Sequence, residues 1–238
     1  MSERFYFRQL LAGRDFAVGD ALAASMRNFT YALGDRETGD AVLVDPAYRP
    51  SELLDLIVAD GMILVSVIAT HYHPDHVGGT LMGEQHVAGV AELLTLVDVP
   101  VHVQADEVVW LKARAGLDDE ALEVHHGRDH LDVGAVTLTL LHTPGHTPGS
   151  QCVLVESRLL SGDTLFIDGC GRTDFPGGNA TEMYKSLSER LSKVSDETVL
   201  YPGHLYAPES SMTMGEVRAR NYVLAPKSQE EWLAMFAS

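Results

Sequence analysis

Residues Ala69 to His76 read Ala-Thr-His-Tyr-His-Pro-Asp-His, and the rest of the chain is interpreted from this stretch. Three imidazoles and one carboxylate fall within the six positions from His71 to His76. Neutral imidazole and carboxylate are ligands for zinc, iron or manganese. A loop with solvated histidines is the plain alternative for one histidine, but four ligand-type side chains at this spacing favour a metal site. We therefore predict that this stretch binds one or two metal ions.

The residues around Pro74 predict how these side chains are presented. The run from Met62 to Thr70 is apolar, rich in β-branched residues and short, which is typical of a buried strand. It would deliver His71 to a strand end. Pro74 disfavours the helical conformation at His73, and its own fixed φ suits the first turn of a helix. The histidines before Pro74 are therefore expected on an extended turn, and the ligand-type residues after it at the start of a short helix.

The composition indicates a globular chain with an acidic surface. Its 238 residues suffice for one large sandwich or barrel, or for two small domains, and 45% of them are hydrophobic. The 34 acidic side chains outnumber the 17 basic ones, which gives a formal net charge of -17. Nucleic-acid binders collect lysine and arginine into patches, and none is visible in this sequence. A nucleic-acid partner and a nuclease activity are therefore disfavoured.

The cysteines and the N-terminus predict where the protein resides. Cys152 and Cys170 lack zinc-finger or redox spacing, which fits a reducing cytosol. The N-terminus carries charge where a signal peptide needs an apolar core, and no apolar run approaches the roughly eighteen residues of a membrane span. We expect a cytoplasmic protein with no membrane partner, whose oligomeric state the sequence leaves open.

The apolar pattern predicts alternating strands and helices in one domain covering residues 1–238. Strands are expected over residues 4–11, 28–33, 41–45, 62–70, 99–104, 135–141, 151–156, 158–161 and 198–201, and helices over 51–61, 84–97, 105–115 and 179–194. The polar residues 117–130 are expected to form a loop or a small flap. Residues 205–238 would form a short helical extension at the C-terminus.

Three further ligand-type residues stand alone in turns or at strand ends. His146 lies in Pro-Gly-His-Thr-Pro-Gly, Asp163 follows Ser-Gly, and His204 follows Tyr-Pro-Gly. Taken singly, each is typical of an ordinary turn. Together with the first cluster they make the chain resemble the metallo-β-lactamase superfamily. The superfamily motif His-x-His-x-Asp-His, then His, Asp and His, is matched in order by His71, His73, Asp75, His76, His146, Asp163 and His204.

The resemblance implies an α/β fold, an αββα four-layer sandwich, with the metals in a cleft at one edge where two β-sheets meet. It also implies two divalent metal ions, zinc and/or iron. The ligands implied for the two ions are three histidines for one, and a carboxylate with two histidines for the other: His71, His73 and His146, then Asp75, His76 and His204. Asp163 would bridge the ions, and with Asp75 it is the carboxylate assigned to catalysis.

A bridging carboxylate at Asp163 makes the chain similar to the glyoxalase II branch, as does the segment from Gly169 to Arg172, Gly-Cys-Gly-Arg. That branch implies hydrolysis of a thioester of a small thiol carrier by a metal-bound hydroxide. Arg172 and Tyr206 would contact this thiol-derived substrate. The thiolate leaves without strong protonation because the pKa of a thiol is about 8.5. The main functional prediction from the sequence is a glyoxalase II-like metallohydrolase.

The segment from Gly171 to Phe175, Gly-Arg-Thr-Asp-Phe, is instead similar to the persulfide dioxygenases of the same superfamily. That resemblance implies one Fe(II) held by His71, His146 and Asp163, with open positions for oxygen and substrate. Those enzymes keep the other ligand-type residues without filling a second site, so ligand number does not separate the two activities. A non-catalytic metal-binding module is a third hypothesis, which the loss of a ligand would favour, and none is missing.

A second group of histidines lies in a charged part of the sequence. His125, His126 and His130 are expected to be solvated, with no role in metal binding. His102 has no ligand-type neighbour in the sequence. Cys152 has the pattern of a small buried residue in a strand.

Overall fold

Alternating strands and helices make up the computed structural model of the chain, which describes residues 4–81, 83, 85–226 and 228–236. The strands are β1 (Phe5–Leu11), β2 (Phe29–Asp35), β3 (Asp40–Val44), β4 (Ile63–Ile68), β5 (Gly79–Leu81), β6 (Gln85–Val87), β7 (Val101–Gln104), β8 (Leu122–His125), β9 (Arg128–Val133), β10 (Val136–His142), β11 (Gln151–Val155), β12 (Arg158–Gly162), β13 (Val199–Pro202) and β14 (Met212–Thr213). The α-helices are α1 (Ala21–Met26), α2 (Pro50–Ala59), α3 (Pro74–Val77), α4 (Val90–Leu94), α5 (Val108–Ala115), α6 (Ala180–Lys185), α7 (Met214–Arg220) and α8 (Gln229–Ala234).

Two six-stranded sheets form the centre of the molecule. The first sheet has the order β1-β2-β3-β4-β7-β8, and the second has the order β14-β13-β12-β11-β10-β9. The strands β3, β4, β7 and β8 run parallel to one another, as do β12 and β13. A hydrophobic core that includes Leu33, Ile68 and Leu138 fills the space between the sheets.

Helices cover the outer face of each sheet. Leu53 of α2 and Leu93 of α4 are buried against the first sheet. Met183 of α6 and Trp232 of α8 are buried in a separate core on the outer side of the second sheet. The layers therefore run helix, sheet, sheet, helix, which confirms the predicted αββα sandwich.

Two predicted elements differ from the structure. The helix expected over 84–97 is divided into the extended strand β6 and the short helix α4, and its first predicted residue, Glu84, lies outside the described residues. The chain passes so close to α3 at Gly89 that a Cβ there would clash with the carbonyl oxygen of Val77. The loop expected over 117–130 contains β8, a four-residue edge strand that pairs with β7 and has Glu123 and Val124 exposed.

The described part of residues 205–238 packs against the second sheet. Strand β14 pairs antiparallel with β13, and the indole of Trp232 donates a hydrogen bond to the carbonyl oxygen of Val223. Thr213 and Glu216 form the capping box that begins α7. No helix in the described ranges is long and apolar enough to cross a membrane.

Strand ends determine where the functional side chains lie. His71 follows β4 in the first sheet, whereas Asp163 and His204 follow β12 and β13 in the second. Since β12 and β13 are parallel, Asp163 and His204 emerge at the same edge. The backbone N–H of Gln151 donates to the carbonyl oxygen of Thr70 at 2.9 Å, which joins the end of β4 to the second sheet. Ligand-type residues from both sheets therefore meet at one edge of the sandwich.

Candidate metal centre

The seven predicted ligand residues converge at this edge. They form two groups, each with its three possible ligand atoms within 4.8 Å of one another: the first group is His71, His73 and His146, and the second group is Asp75, His76 and His204. Asp163 lies between the groups, with Oδ2 3.6 Å from Nε2 of His146 and 3.4 Å from Nε2 of His204. This is the arrangement that the sequence predicts, and the role of each residue as a ligand stays a prediction.

Asp45, at the end of β3, orients one histidine in each group. Its Oδ2 accepts a hydrogen bond from Nδ1 of His76 at 2.9 Å and another from Oγ1 of Thr70 at 2.6 Å. Because the Thr70 proton is used in this way, its hydroxyl oxygen accepts from Nδ1 of His71 at 3.0 Å. Both rings are thereby fixed with Nε2 facing the site, as ligating histidines usually are. Asp45 was not among the predicted site residues.

The first group presents lone pairs that face one another. Nδ1 of His146 donates to the carbonyl oxygen of Arg172 at 2.6 Å, so its Nε2 faces the site without a proton. Nε2 of His71 and Nε2 of His146 lie 3.1 and 2.9 Å from Nδ1 of His73. One proton on His73 can satisfy only one of these contacts, whereas a cation among the three nitrogens would satisfy them all. Burial lowers the pKa of all three rings, that of His73 to about 3, which favours the neutral imidazoles that bind metals.

In the second group, the pKa of a histidine is raised, whereas in the first group the pKa of each histidine is lowered. Nδ1 of His204 donates to the carbonyl oxygen of Met26 at 2.9 Å, and its Nε2 lies 3.1 Å from Nε2 of His76. Burial alone would lower the pKa of His76, but the carboxylates of Asp163 and Asp75 outweigh burial and raise the pKa to about 10. In the absence of an ion, the carboxylates therefore favour a proton on His76. A bound cation would replace that proton.

Asp163 provides the clearest test of whether these residues fit a metal. Its Oδ1 is buried and accepts no hydrogen bond, although Nε2 of His76 lies 3.4 Å away. Burial would raise the pKa of this carboxyl, but His204 and His76 hold it well below its usual range. A buried, ionised oxygen without a donor is costly unless a cation faces it. The oxygen and nitrogen donors at this edge thus fit a divalent ion such as iron, zinc or manganese.

Glu107 was also missed, although its buried carboxylate joins the two turns that carry the first group. It accepts hydrogen bonds from the backbone N–H of Tyr72 at 2.6 Å, the N–H of Gly149 at 2.6 Å and Oγ1 of Thr147 at 2.8 Å. Burial raises the pKa of Glu107 to about 7. The sequence feature that could have identified Glu107 was its position three residues after Gln104, the last residue of β7, which pairs with β4.

A cleft of about 660 Å³ opens onto the metal centre. Five aromatic residues and two arginines are among the residues that line it around the ligand residues: Tyr72, Phe166, Phe175, Tyr206, Tyr222, Arg114 and Arg172. Arg172 forms a two-bonded ion pair with Asp174 and lies 4.4 Å from the ring centre of Phe175. Tyr206 stacks on the ring of His204, with centroids 4.6 Å apart. Both residues predicted to contact substrate therefore lie at the cleft, where that role stays a prediction.

The remaining histidines lie away from the centre. His126 and His130 are exposed, as predicted. The prediction is wrong for His125, which is buried and lies between His102 and Asp129, with nitrogen and oxygen contacts at 2.9 and 2.8 Å. The parallel pairing of β7 with β8 brings these residues together, and the polar sequence of β8 did not reveal it.

Known proteins are similar to this chain in both sequence and fold. The profile of the Metallo-beta-lactamase superfamily matches residues 28–82 and 86–204. The mitochondrial persulfide dioxygenase ETHE1 of Mus musculus is 32% identical over 208 residues, which cover 85% of this chain and 73% of that protein. The crystal structure of ETHE1 from Myxococcus xanthus is 30% identical with a TM-score of 0.79, and covers 98% of this chain and 90% of that one. TTHA1623 in a di-iron-bound form is 31% identical with a TM-score of 0.63, and covers 83% of this chain and 95% of that one.

These relatives correct the main functional prediction. Those with a named activity are persulfide dioxygenases, so the predicted glyoxalase II-like thioester hydrolase is wrong, and hydrolase chemistry has no support among them. The di-iron neighbour and the two clusters of ligand-type residues support metal binding. Given the extent of the profile match and the identity with these relatives, the chain belongs to the metallo-β-lactamase superfamily.

Proposed function

We propose that this protein is an iron-dependent persulfide dioxygenase. The observation that carries the proposal is 32% identity with a persulfide dioxygenase over 85% of the chain. The Gly-Arg-Thr-Asp-Phe segment from Gly171 to Phe175, which suggested this alternative from the sequence, borders the cleft through Gly171, Arg172 and Phe175. The substrate would be a small thiol-derived molecule that carries a persulfide sulfur.

The proposed iron ligands are His71, His146 and Asp163, two imidazoles and one carboxylate. Nε2 of His146 lies 3.6 Å from Oδ2 of Asp163, and the rings of His71 and His146 both direct an unprotonated Nε2 at the site. Iron(II) held by these atoms would supply the redox chemistry that activates dioxygen. One iron leaves the second group to act through hydrogen bonds and charge.

The cleft walls support binding of a small sulfur compound with polar ends. Phe175 lies 5.3 Å from the ring of His73, and Phe166 lies 5.1 Å from the ring of Tyr206, so aromatic rings flank the donor atoms on both sides. Arg114 lines the cleft with no carboxylate within ion-pair distance among the described residues. We propose that Arg114, Arg172 and Tyr206 contact the thiol carrier.

The same proposal defines the partners and the location. The formal net charge of -17 disfavours a phosphate backbone as a partner. A small molecule is therefore the proposed partner, without nucleic acid or membrane, in a cytoplasmic protein.

The test compares two reactions on one preparation that has been purified without oxygen and loaded with iron(II). We expect oxygen consumption that depends on an added low-molecular-weight persulfide, and no release of thiol from a glutathione thioester. Oxygen consumption that does not respond to persulfide, in protein with full iron content, would overturn the proposal. The zinc-loaded protein is the control, because zinc has no redox chemistry and should consume no oxygen.

A further inference from the structure

The amide of Asn28 lies against the second group of ligand-type residues. Asn28 is buried just before β2, and its Nδ2 lies 3.0 Å from Oδ2 of Asp75, 3.2 Å from Nε2 of His76 and 3.4 Å from Nε2 of His204. These are the three atoms through which that group would bind an ion. The described contacts include no amide in the equivalent position of the first group.

Tyr48 fixes which end of the Asn28 amide faces these atoms. The hydroxyl of Tyr48 lies 2.8 Å from Oδ1 of Asn28 and donates to it. A flipped amide would place Oδ1 about 3 Å from the Asp75 carboxylate oxygen, where two acceptors repel each other. Tyr48 is itself held in place, because it is buried and its backbone N–H donates to the carbonyl oxygen of Ala88 at 2.7 Å. The NH2 of Asn28 is therefore directed at the second group.

An amide nitrogen in this position competes with a metal ion. An ion needs the lone pairs of its ligand atoms at about 2.0–2.2 Å, and an NH2 group has no lone pair to add. Its two protons can bond to at most two of these three atoms, and each such bond uses a lone pair that an ion would need. The positive end of the amide dipole also repels a cation that approaches the group.

We infer that Asn28, oriented by Tyr48, is a positioning residue that keeps the second group from binding an ion, so that metal is held by His71, His146 and Asp163 alone. The inference rests on the single iron of the proposed function. It explains how a chain with all seven ligand-type residues would hold one ion: the second group has complete ligands, and a fixed hydrogen-bond donor occupies them.

The test measures metal content rather than activity. Metal-free protein is incubated with excess iron(II) without oxygen, or with zinc, then desalted and analysed for metal per chain. We expect about one ion in the wild type and about two in Asn28→Ala, since removal of the amide frees the ligand atoms to which it donates. Tyr48→Phe keeps the ring and removes only the hydroxyl that holds the amide, so its metal content should rise above that of the wild type.

Two controls locate the second ion. The double variant Asn28→Ala with Asp75→Ala should return to about one ion, because a ligand of the second group is gone. Asn179→Ala makes the same chemical change at an exposed helix cap and should stay at about one ion. Tyr48→Phe also keeps the inference testable if Asn28→Ala fails to fold.

The outcomes separate this inference from the proposed function. One ion in the wild type, in Asn28→Ala and in Tyr48→Phe would overturn the role of Asn28 and leave the dioxygenase intact. Two ions in the wild type would overturn the inference together with the single-iron site. A change from one ion to two, in a protein that consumes no oxygen with persulfide, would support the inference and contradict the proposed function.

Discussion

Glu107 connects the two turns that carry the first group by accepting hydrogen bonds from backbone N–H groups and a hydroxyl. Its carboxylate forms no hydrogen bond with any of the three imidazoles of that group. In Glu107→Gln one buried donor would face an NH2 group instead of an acceptor, because an amide has one oxygen. We expect the free energy of unfolding to fall by about 1–3 kcal/mol, as measured by urea denaturation. Metal affinity should weaken by about tenfold, because Tyr72 and Thr147, which Glu107 contacts, adjoin the histidines of the first group.

Glu123→Gln is the matched control for this substitution. Glu123 is exposed on β8, so the same chemical change there should alter neither the unfolding curve nor the metal affinity. Equal behaviour of the two variants would show that Glu107 does not position the histidine turns.

The carboxylate of Asp163 is expected to hold the iron by its charge as well as its shape. Asp163→Asn keeps the size of the side chain but removes the negative charge that faces the histidines. We expect at least about tenfold weaker iron binding and loss of most persulfide-dependent oxygen uptake, measured on the same preparation. Asp168→Asn is the control, since Asp168 lines the same cleft but pairs with Arg220. Full iron content with near-normal turnover in Asp163→Asn would exclude Asp163 as a ligand.

Arg172 is expected to act on substrate binding rather than on the reaction itself. Its guanidinium lies at the cleft, paired with Asp174 at the surface. Arg172→Ala should raise KM for the persulfide more than it lowers kcat, because the lost contact is made to the carrier before and during the reaction. Steady-state oxygen uptake at several persulfide concentrations measures both constants. Unchanged kinetics would remove Arg172 from the substrate site.

At the level of strands, the convergence of the ligand-type residues was predictable and the residues that orient them were not. His71, His146, Asp163 and His204 each follow a strand or lie in a turn, and the spacing of the motif is local or ordered along the chain. Glu107 is 35 residues from Tyr72 and 40 from Thr147 in the sequence, and Asn28 is 47 from Asp75. Such contacts depend on which strands are neighbours in the folded sheets.

The strand β8 illustrates the same limit. It has only four residues at the edge of the first sheet, and two of them, Glu123 and Val124, are exposed, so its sequence was predicted to form a loop. Its parallel pairing with β7 buries His125 against His102. An assignment from hydrophobicity alone therefore misplaced His125, which forms part of the fold and not of the solvated surface.

The burial of His102, which lies in β7 beside β8, leads us to expect that the free energy of unfolding depends on pH. Burial, with a contribution from His125, lowers the pKa of His102 to about 4, below the value of about 6.5 for an unfolded chain. As pH falls, the unfolded state takes up the proton first, so the contribution of neutral His102 is present above about pH 6.5 and is lost towards pH 4. We expect His102→Gln to reduce this loss of unfolding free energy by about 2 kcal/mol.

Urea denaturation at several pH values between about 4 and 7 measures this difference. His126→Gln is the control, because His126 is exposed on the neighbouring turn. A wild type and a His102→Gln variant with the same slope against pH would show that burial does not hold His102 neutral.

Over the whole molecule, the αββα sandwich places the metal centre across its two sheets. The turn after β4 in the first sheet supplies His71 and His73, and the second sheet supplies His146 and Asp163. An ion held by His71, His146 and Asp163 would therefore connect the two sheets, and metal binding would add to the stability of the folded state. The same edge carries the cleft, so the ligand-type residues are accessible from one side and covered by the fold on the other.

The most direct test of the central claim is the rate of persulfide-dependent oxygen uptake across preparations loaded with increasing amounts of iron(II). Each preparation is assayed for iron per chain and for the initial rate at a saturating persulfide concentration. If one iron held by His71, His146 and Asp163 carries the reaction, the rate rises in proportion to iron content and reaches its plateau at one iron per chain. A rate that stays at the background level, or that rises only as a second iron binds, would contradict the account.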